Sequence, residues 1–338
     1  MKVLFIGGTG LISSACSELA VQRGMDITIL NRSQSRRYPI PDGAQLLTAD
    51  IHADPGKLAA LLAEHSFDVV VDWIAFTAAD IERDLSLFSG KVGQFIFISS
   101  ASAYQKPPAH YQITEETPLE NPFWQYSRDK IACEEKLMKA FRQNGFPVTI
   151  VRPSLTYGPS NLTLCMNSWQ HPYTAIDRMR QGKPVIVPGD GSSLWVCTWN
   201  GDFAVGLLGL FGLSGAIGEA FHVTSDEVLT WNQLYAQVYD VLGVKPNIIH
   251  IASDWLATWD DTYTGTLIGD KSNSVVFDNS KIKSFVPDYG CKVSWAEGVK
   301  RVIAWFDADA TRRSVDLAEV QKWDAMIAAY GKGFPKKG

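Results

Sequence analysis

Short runs of apolar residues alternate with helix-spaced apolar positions through the first 150 residues. The apolar runs predict strands at residues 2–6, 27–30, 45–48, 68–72, 94–98 and 148–151. Between these strands, apolar positions three and four residues apart predict helices at about 12–24, 55–64, 79–89 and 124–144. Strands that are apolar at almost every position and alternate with helices are typical of a parallel sheet covered on both faces. The pattern therefore predicts an α/β fold with a doubly wound parallel sheet, whose ligands bind at the carboxyl ends of the strands.

The pattern loosens after residue 152, where proline and glycine interrupt it repeatedly. We therefore predict a first domain at residues 1–152, which contains the sheet, and a smaller, loop-rich C-terminal region at 153–338. One apolar run near 219–224 predicts a strand that returns to the sheet of the first domain. Helices are predicted from the cap Thr230 to about residue 242, and over 294–307 and 315–330.

Composition narrows the class of protein. The chain has 338 residues, of which 46% are hydrophobic and 20% charged, and this length suits about two domains. Its formal net charge is −5, so nucleic acid is not expected as a partner. No apolar run approaches the roughly 20 residues of a membrane-spanning helix. The five cysteines are scattered and show neither zinc-site spacing nor a disulfide framework. We expect a soluble, cytoplasmic protein with no membrane partner.

A glycine-rich string, Gly-Gly-Thr-Gly-Leu-Ile-Ser at residues 7–13, joins the first predicted strand to the first predicted helix. Small residues at this place let the backbone approach a pyrophosphate, which the N–H groups of the helix N-terminus then bind. The position directly after an N-terminal strand makes this a strong indication of a dinucleotide-binding Rossmann domain. The predicted cofactor contacts in the string are Gly7, Thr9, Gly10, Leu11 and Ile12.

The end of the second strand bears on the choice between NAD and NADP. A free ribose 2′-hydroxyl usually meets a carboxylate here, whereas a 2′-phosphate needs a cation. No carboxylate lies between Asp26 and Asp42, but three arginines do: Arg32, Arg36 and Arg37. The sequence favours NADP, although Asn31 could serve an unphosphorylated ribose, so NAD remains an alternative. Asp50 and the adjoining Ile51 end the third strand and are predicted on the adenine side; an exposed loop carboxylate is an equally good interpretation of Asp50.

A candidate acid–base pair lies in the helix at 124–144. Tyr126 and Lys130 are four residues apart and so share a helix face, where the ammonium is expected to lower the pKa of the phenol. Ser99 and Ser100 end the fifth strand, at the sheet edge where the cofactor would lie. A strand-end hydroxyl with a helical Tyr/Lys pair would form a proton relay to a substrate carbonyl or alcohol.

With these residues the chain resembles the extended short-chain dehydrogenases/reductases, in particular the NAD(P)-dependent epimerase/dehydratase family. The segments that carry the resemblance are 7–13, 97–104, 126–130, 152–159, 188–191 and 223–227. The resemblance implies that Ser100 is the catalytic hydroxyl, Tyr126 the acid/base and Lys130 the orienting cation, with cofactor contacts from Ser99 and Pro153. It also implies that the region at 153–338 is mainly substrate-binding and that the protein is a homodimer.

Two departures from the family's pattern bear on the substrate. Dehydratases of this branch typically carry an Asp-Glu pair where this chain has Ala101 and Ser102, which argues against a sugar dehydratase. Nucleotide-sugar enzymes usually carry an arginine where this chain has Trp195, although Arg152 or Arg178 could replace it. A free sugar, sugar acid or similar polyol-ketone is therefore expected in preference to a nucleotide sugar. The predicted substrate contacts are Trp73, Ser102, Trp124, His171 and Trp195.

The leading hypothesis is an NAD(P)-dependent oxidoreductase or epimerase that transfers a hydride at a carbinol or ketone carbon of a sugar-like substrate. A nucleotide-sugar epimerase is the first alternative. A non-catalytic NADP-binding regulator is the second, although such proteins tend to lose the Tyr/Lys pair, which is present here. The third is RNA binding, because the second half looks somewhat like the plant chloroplast stem-loop-binding relatives of this family.

Overall fold

The computed structural model describes residues 1–33, 37–53 and 55–333 of the chain. Its strands are β1 (Lys2–Ile6), β2 (Asp26–Asn31), β3 (Gln45–Thr48), β4 (Phe67–Asp72), β5 (Val92–Ile98), β6 (Gln112–Ile113), β7 (Val148–Pro153), β8 (Leu155–Tyr157), β9 (Val185–Pro188), β10 (Leu194–Trp199), β11 (Ala220–Val223), β12 (Val228–Thr230), β13 (Ile248–Ile251) and β14 (Val276–Phe277). Its helices are α1 (Ser13–Gln22), α2 (Pro55–Ala63), α3 (Ala78–Phe88), α4 (Gln125–Asn144), α5 (Thr174–Arg180), α6 (Asn200–Gly209), α7 (Trp231–Leu242), α8 (Ser253–Ala257), α9 (Ser280–Phe285), α10 (Trp295–Asp307) and α11 (Leu317–Gly331), with a π-helix at Thr264–Lys271.

A seven-stranded parallel sheet in the order β11-β7-β5-β4-β1-β2-β3 forms the centre of the molecule. This confirms the predicted α/β doubly wound fold. The apolar side chains of β1, and those of Val69, Val70 and Val71 in β4, are fully buried because helices cover both faces of the sheet. Since all seven strands are parallel, their carboxyl ends meet at one edge, where the loops after β1, β4 and β5 come together.

The predicted returning strand is β11, which pairs with β7 at the edge of the sheet. Several predicted boundaries also agree closely with the structure. Helix α4 ends at Gly145, which adopts the left-handed conformation at φ 67° that glycine tolerates best. Helix α7 begins with a capping box between Thr230 and Gln233. The agreement is good where caps and periodicity coincide.

Helix α6 was not predicted, and it covers the sheet although it comes from the second half of the chain. It packs against α1 through the buried side chains of Phe203, Ala204 and Leu207. A strand of the first half also pairs with the second half of the chain, because β6 pairs with β14. The chain therefore passes more than once between the sheet and the smaller lobe.

The smaller lobe lies at the carboxyl edge of the sheet and is built around buried aromatic rings. Short sheets, β12-β10-β8 and β13-β9, surround a core that includes Tyr157, Trp195, Trp231 and Trp295. Helices α7 and α10 close this core, while α8, the π-helix and α11 enclose a second apolar cluster. None of the helices within residues 1–33, 37–53 and 55–333 combines the length and the apolar character needed to cross a membrane.

Candidate active site

The loop after β1 needs glycine at two positions. Gly7 and Gly8 have φ values of 106° and 86°, which L side chains rarely adopt. A Cβ on Gly7 would lie 3.1 Å from the Cβ of Trp73, and one on Gly8 would lie 3.2 Å from Cγ2 of Ile29. Ser13, the last residue of the glycine-rich string, stabilises the loop directly, because its Oγ accepts a hydrogen bond of 2.8 Å from the backbone N–H of Gly10.

The N-terminus of α1 faces this loop and suits an anion. In the described structure no side chain caps α1, and its first turn carries no acidic residue, so the N–H groups there are not opposed by a carboxylate. Ser13 and the glycine loop line the wall of a cavity of about 600 Å³. We name it the catalytic cavity, because Ser100, Tyr126 and Lys130 also line it.

A neighbouring cavity of about 520 Å³ continues from the glycine loop to the ends of β2 and β3, and we name it the β2–β3 cavity. It shares Gly7 and Thr9 with the catalytic cavity, so an extended dinucleotide could run from one to the other. The walls of the two cavities contain the predicted cofactor residues Gly7, Thr9, Gly10, Leu11, Ile12, Asn31, Arg32, Asp50, Ile51, Ser99, Tyr126, Lys130 and Pro153.

At the far end of the β2–β3 cavity, the guanidinium of Arg32 lies 4.0 Å from the carboxylate of Asp50, and both side chains are substantially exposed. Such a pair is weak in water, so the guanidinium stays available to a ligand. Asn31 is already engaged, because its Oδ1 accepts from the N–H of Ser33 and its Nδ2 donates to Thr9 Oγ1. Arg36, another arginine of this stretch, lies outside the described residues.

A chain of hydroxyl groups leads away from Tyr126. The phenol is hydrogen-bonded to the side chain of Ser100, whose Oγ lies 2.9 Å from Ser102 Oγ. Ser127 then donates to Ser102 Oγ over 2.8 Å. The Nδ2 of Asn121 contacts Ser127 Oγ at 3.2 Å and the carbonyl of Ser102 at 2.8 Å. The three predicted residues Ser100, Ser102 and Tyr126 thus form one hydrogen-bonded group.

Lys130 lies beneath this group and is almost fully buried. Its Nζ donates to the carbonyls of Ala75 and Ile98, at 2.7 and 2.8 Å, and so joins the loop after β4 to the end of β5. The rings of Phe76 and Phe97 lie 4.6 and 4.7 Å from the ammonium. Burial lowers the pKa of Lys130 from 10.5 to about 8, since a charged ammonium is disfavoured away from water.

One expectation about the pair is not met. The pKa of Tyr126 is raised rather than lowered, because burial of the phenol disfavours its ionised form and the hydrogen bond with Ser100 offsets this only in part. The Nζ of Lys130 lies 5.9 Å from the centre of the Tyr126 ring and is committed to two backbone carbonyls. In this state of the protein the phenol keeps its proton at neutral pH.

Behind the strand ends, a buried ion pair supports the site. Ser99 donates to the carboxylate of Glu134, which also accepts a 2.9 Å hydrogen bond from Nε of Arg152. Arg152 further donates to the hydroxyl of Tyr104. The expectation that Arg152 could bind a substrate diphosphate is therefore wrong, because its guanidinium is enclosed with its own carboxylate.

The predicted substrate residues separate into two groups. Trp73, Ser102 and Trp124 line the catalytic cavity, and the buried Nε1 of Trp73 finds no hydrogen-bond partner within the described residues. Trp195 and His171 lie elsewhere, which corrects their prediction as substrate contacts. Trp195 is buried in the core of the smaller lobe, where it stacks on another tryptophan ring, and His171 bonds to a serine hydroxyl outside the cavity walls.

Arg178, the second candidate for the role of the missing arginine, is excluded as well. Its side chain is almost fully buried on α5, where Nε donates to the carbonyl of Pro184 and the guanidinium pairs with Asp324. A side chain held in this way cannot reach a ligand in the catalytic cavity. Both candidate arginines are thus used inside the fold.

The sequence did not identify the contribution of the π-helix. Asp270 and Lys271 line the catalytic cavity from its last turn, with their side chains ion-paired at 3.0 Å. Asn121 Nδ2 donates to the carbonyl of Gly269 over 2.7 Å, which ties this helix to the hydroxyl chain. A Cβ at Gly265 would lie 2.3 Å from the ring of Trp124. Gly265 and Gly269, four residues apart, are therefore the local sequence signal of this packing.

We predict that Asn121→Asp destabilises the protein. The change keeps the shape of the side chain but removes the donor that satisfies the buried carbonyls of Ser102 and Gly269. Leaving a buried acceptor unsatisfied costs about 1–3 kcal/mol for each group. Urea unfolding measures the loss, and Asn247→Asp is the matched control, because Asn247 donates to one carbonyl at the surface. Equal stability losses in the two variants would contradict the role assigned to Asn121.

A second prediction concerns pH. Because the pKa of Lys130 is about 8 in the folded protein against 10.5 as its ordinary value, the lysine is charged in both states below pH 8 and its burial costs stability. Between pH 8 and 10.5 the folded protein loses this proton first, and the cost disappears. We expect the stability of the wild type relative to Lys130→Met to rise by about 2–3 kcal/mol from pH 7.5 to 10. Urea unfolding across this range tests the prediction, and a constant difference would refute it.

Comparison with known proteins agrees with this geometry. The pattern of the NAD dependent epimerase/dehydratase family matches residues 3–211. The chloroplast stem-loop binding protein of 41 kDa b from Arabidopsis thaliana is 26% identical over 244 residues, which cover 69% of this chain and 61% of that protein. A UDP-glucose 4-epimerase from Lactobacillus helveticus is 26% identical over 169 residues, 45% of this chain and 51% of that protein. The chain thus spans about half to three fifths of the length of these relatives.

Solved structures share the fold over nearly their whole length. An epimerase from Methanothermobacter thermautotrophicus superposes with a TM-score of 0.76 at 19% identity, covering 93% of this chain and 95% of the other. A UDP-glucuronic acid 4-epimerase from Bacillus cereus, in complex with UDP-glucuronic acid and NAD, has a TM-score of 0.72 at 18% identity and covers 91% and 99%. The family pattern takes in the glycine loop, Ser100, Tyr126 and Lys130. The resemblance inferred from the sequence is confirmed, and the chain belongs to the NAD dependent epimerase/dehydratase family.

Proposed function

We propose that this protein is an NAD(P)-dependent enzyme that transfers a hydride at a carbinol or keto carbon of a sugar-like substrate. The observation that carries the proposal is the meeting of Ser100, Tyr126 and Lys130 in one cavity that also contains the glycine loop. A nicotinamide cofactor bound along this loop would donate or accept the hydride. The protein then has to hold the substrate oxygen and exchange one proton with it.

Tyr126 is the group best suited to that proton exchange. Since burial raises its pKa, the phenol is protonated at neutral pH and can donate to the oxygen of a ketone as the carbonyl is reduced. Ser100 hydrogen-bonds the phenol and can bind the same substrate oxygen. Ser102, Ser127 and Asn121 continue the hydrogen-bonded chain and orient the Ser100 hydroxyl. The reverse reaction uses the same groups, with the phenolate accepting the proton of an alcohol.

Lys130 acts as an orienting cation in this scheme. Its Nζ already bonds two carbonyls, so one proton remains available for a ligand in the catalytic cavity. We assign it to the ribose beside the reacting ring. A ligand oxygen at that point would stabilise the ammonium, and the ammonium would then favour the ionised form of the nearby Tyr126.

For the net reaction we propose reduction, oxidation or epimerisation of a sugar-like ketone or alcohol, with nucleotide-sugar epimerisation as the second candidate. The names of the Lactobacillus helveticus relative and of the Bacillus cereus structure favour this second candidate. Ala101 and Ser102 line the cavity after Ser100, and neither can supply the acid of a dehydration. We also retain the predictions of a homodimer and of a cytoplasmic location.

We propose NADP as the cofactor, with NAD as the alternative that the NAD complex of the Bacillus cereus structure supports. The support for NADP is the exposed guanidinium of Arg32 on the wall of the β2–β3 cavity. Asn31, at the end of β2, offers no charge that would repel a phosphate.

RNA binding is the alternative suggested by the name of the Arabidopsis thaliana relative. The net charge of −5 opposes it, because nucleic-acid affinity depends on neutralising phosphates with lysine and arginine. A regulator without catalysis would not need Tyr126 and Lys130 beside the cofactor loop. We therefore place both alternatives behind the enzyme.

The role of Tyr126 predicts the behaviour of Tyr126→Phe. Removing the hydroxyl keeps the ring packing but deletes the proton path, so turnover should fall at least ~100-fold with cofactor affinity nearly unchanged. The nicotinamide absorbance, followed on mixing with a panel of sugars, keto sugars and UDP-sugars, measures turnover. Tyr111→Phe is the matched control, since this tyrosine is exposed at the surface. Full turnover in Tyr126→Phe would exclude the catalytic assignment.

The cofactor proposal predicts that NADPH binds more tightly than NADH and that Arg32→Ala narrows the difference. A guanidinium paired with a phosphate is a charge-assisted contact, and its loss costs about 1.5–3 kcal/mol. Fluorescence titration of both cofactors measures the two affinities. Arg301→Ala, which removes an arginine of similar exposure from α10, should leave both affinities unchanged. A wild-type preference for NADH would refute the proposal.

A further inference from the structure

A second large cavity, of about 900 Å³, opens directly beside the catalytic cavity, and we name it the outer cavity. It lies between the start of α4, the loop at 161–170, the π-helix region and the start of α11. The two cavities share the wall residues Trp124, Leu155, Thr163, Trp169 and Lys271. Since the catalytic cavity must hold both the reacting group and the end of the cofactor, the rest of a larger substrate would extend into the outer cavity.

Thr163 marks the passage between the two cavities. Its side chain is 5% exposed, and its Oγ1 finds no hydrogen-bond partner within the described residues. A buried hydroxyl left unsatisfied costs stability, so such groups are usually satisfied by a bound molecule when the protein and the packing do not satisfy them. Thr163 therefore points to a polar ligand group at the junction, where one part of a substrate is joined to the next.

The charges around the outer cavity do not suit a diphosphate. Among the described wall residues, four carboxylates face three cations. Lys322 is held by Asp260 at 2.8 Å, and Lys271 by Asp270 at 3.0 Å. Arg128 donates to the side chain of Gln125 and to a backbone carbonyl. Of the described wall cations, Arg128 alone has no carboxylate partner, so a diphosphate with two charges would require breaking an ion pair beside unneutralised carboxylates.

The same walls suit a sugar ring. Trp169 is 64% exposed and Phe123 37% exposed, which is unusual for large apolar side chains on a cavity wall. An aromatic face packs well against the C–H groups of a pyranose, while carboxylates accept hydrogen bonds from its hydroxyls. Building on the proposed function, we propose that the outer cavity binds the second ring of a neutral saccharide whose first ring reacts in the catalytic cavity.

Calorimetry with the full-length protein tests this inference without requiring turnover. The probes are neutral disaccharides of the gluco, galacto, manno and xylo series, the corresponding methyl monosaccharides, UDP and UDP-glucose. We expect at least one disaccharide to bind at least ~10-fold more tightly than its monosaccharide and more tightly than UDP. Trp169→Ala and Thr163→Val should each remove most of this preference. Trp259→Ala is the matched control, because this exposed tryptophan lies outside the cavity walls, and it should leave the preference unchanged.

Two outcomes would overturn the inference. Tighter binding of UDP than of every disaccharide would assign the outer cavity to a nucleotide, and absence of any disaccharide preference would remove the second-ring site. Neither outcome affects the proposed hydride transfer, which the NADPH titration and the turnover of Tyr126→Phe test separately on the same preparation. Failure of cofactor binding would instead refute the proposed function, whatever the sugars do.

Discussion

The architecture of the site depends on the position of one buried ammonium. Lys130 reaches from α4 to the carbonyls of Ala75 and Ile98, which belong to segments that follow two neighbouring parallel strands. The cation sits between aromatic rings, in a place where charge is costly, and burial lowers its pKa to about 8. The two carbonyl acceptors and the aromatic rings offset part of this cost. As a result, the cation is already held in place when a ligand arrives, and no reorganisation is needed to position it.

The sequence predicted the sheet and most of its helices well because their signals are local. Helix α4 has both apolar periodicity and a terminal glycine, and β11 is an apolar run of the length that a buried strand needs. The sequence could predict that Ser100, Tyr126 and Lys130 lie together, because spacing on one helix and position at a strand end are local properties. Helix α6 and the π-helix were missed for the opposite reason. The buried face of α6 can be recognised only from its packing against α1. The need for glycine at position 265 can be recognised only from the position of the Trp124 ring.

The expectation that nucleotide sugars bind weakly was based on Trp195, and the structure does not support that basis. The sequence placed this tryptophan where relatives carry a diphosphate-binding arginine and inferred a weak response to nucleotide sugars. In the structure Trp195 lies in the core, so the substituted side chain cannot itself reject a phosphate. The argument now depends on the outer cavity, where Lys322 and Lys271 are each paired with a carboxylate. The pair of Lys322 with Asp260 joins residues 62 positions apart, and linear spacing cannot reveal a contact of this kind.

The path of α6 also affects how the chain can be divided. Asn200, at its first turn, donates a 2.8 Å hydrogen bond to the carbonyl of Leu11 and so holds the glycine loop from a point 189 residues later in the chain. A Cβ at Gly158 would lie 2.5 Å from Asn200 Nδ2, so the segment after β8 packs against the same amide. A fragment cut after β7 would therefore lose the support of its glycine loop together with part of the cover of one sheet face. Chimeras made by exchanging the C-terminal half between relatives would replace the amide that holds the glycine loop along with the smaller lobe, so the loop and the lobe cannot be exchanged independently.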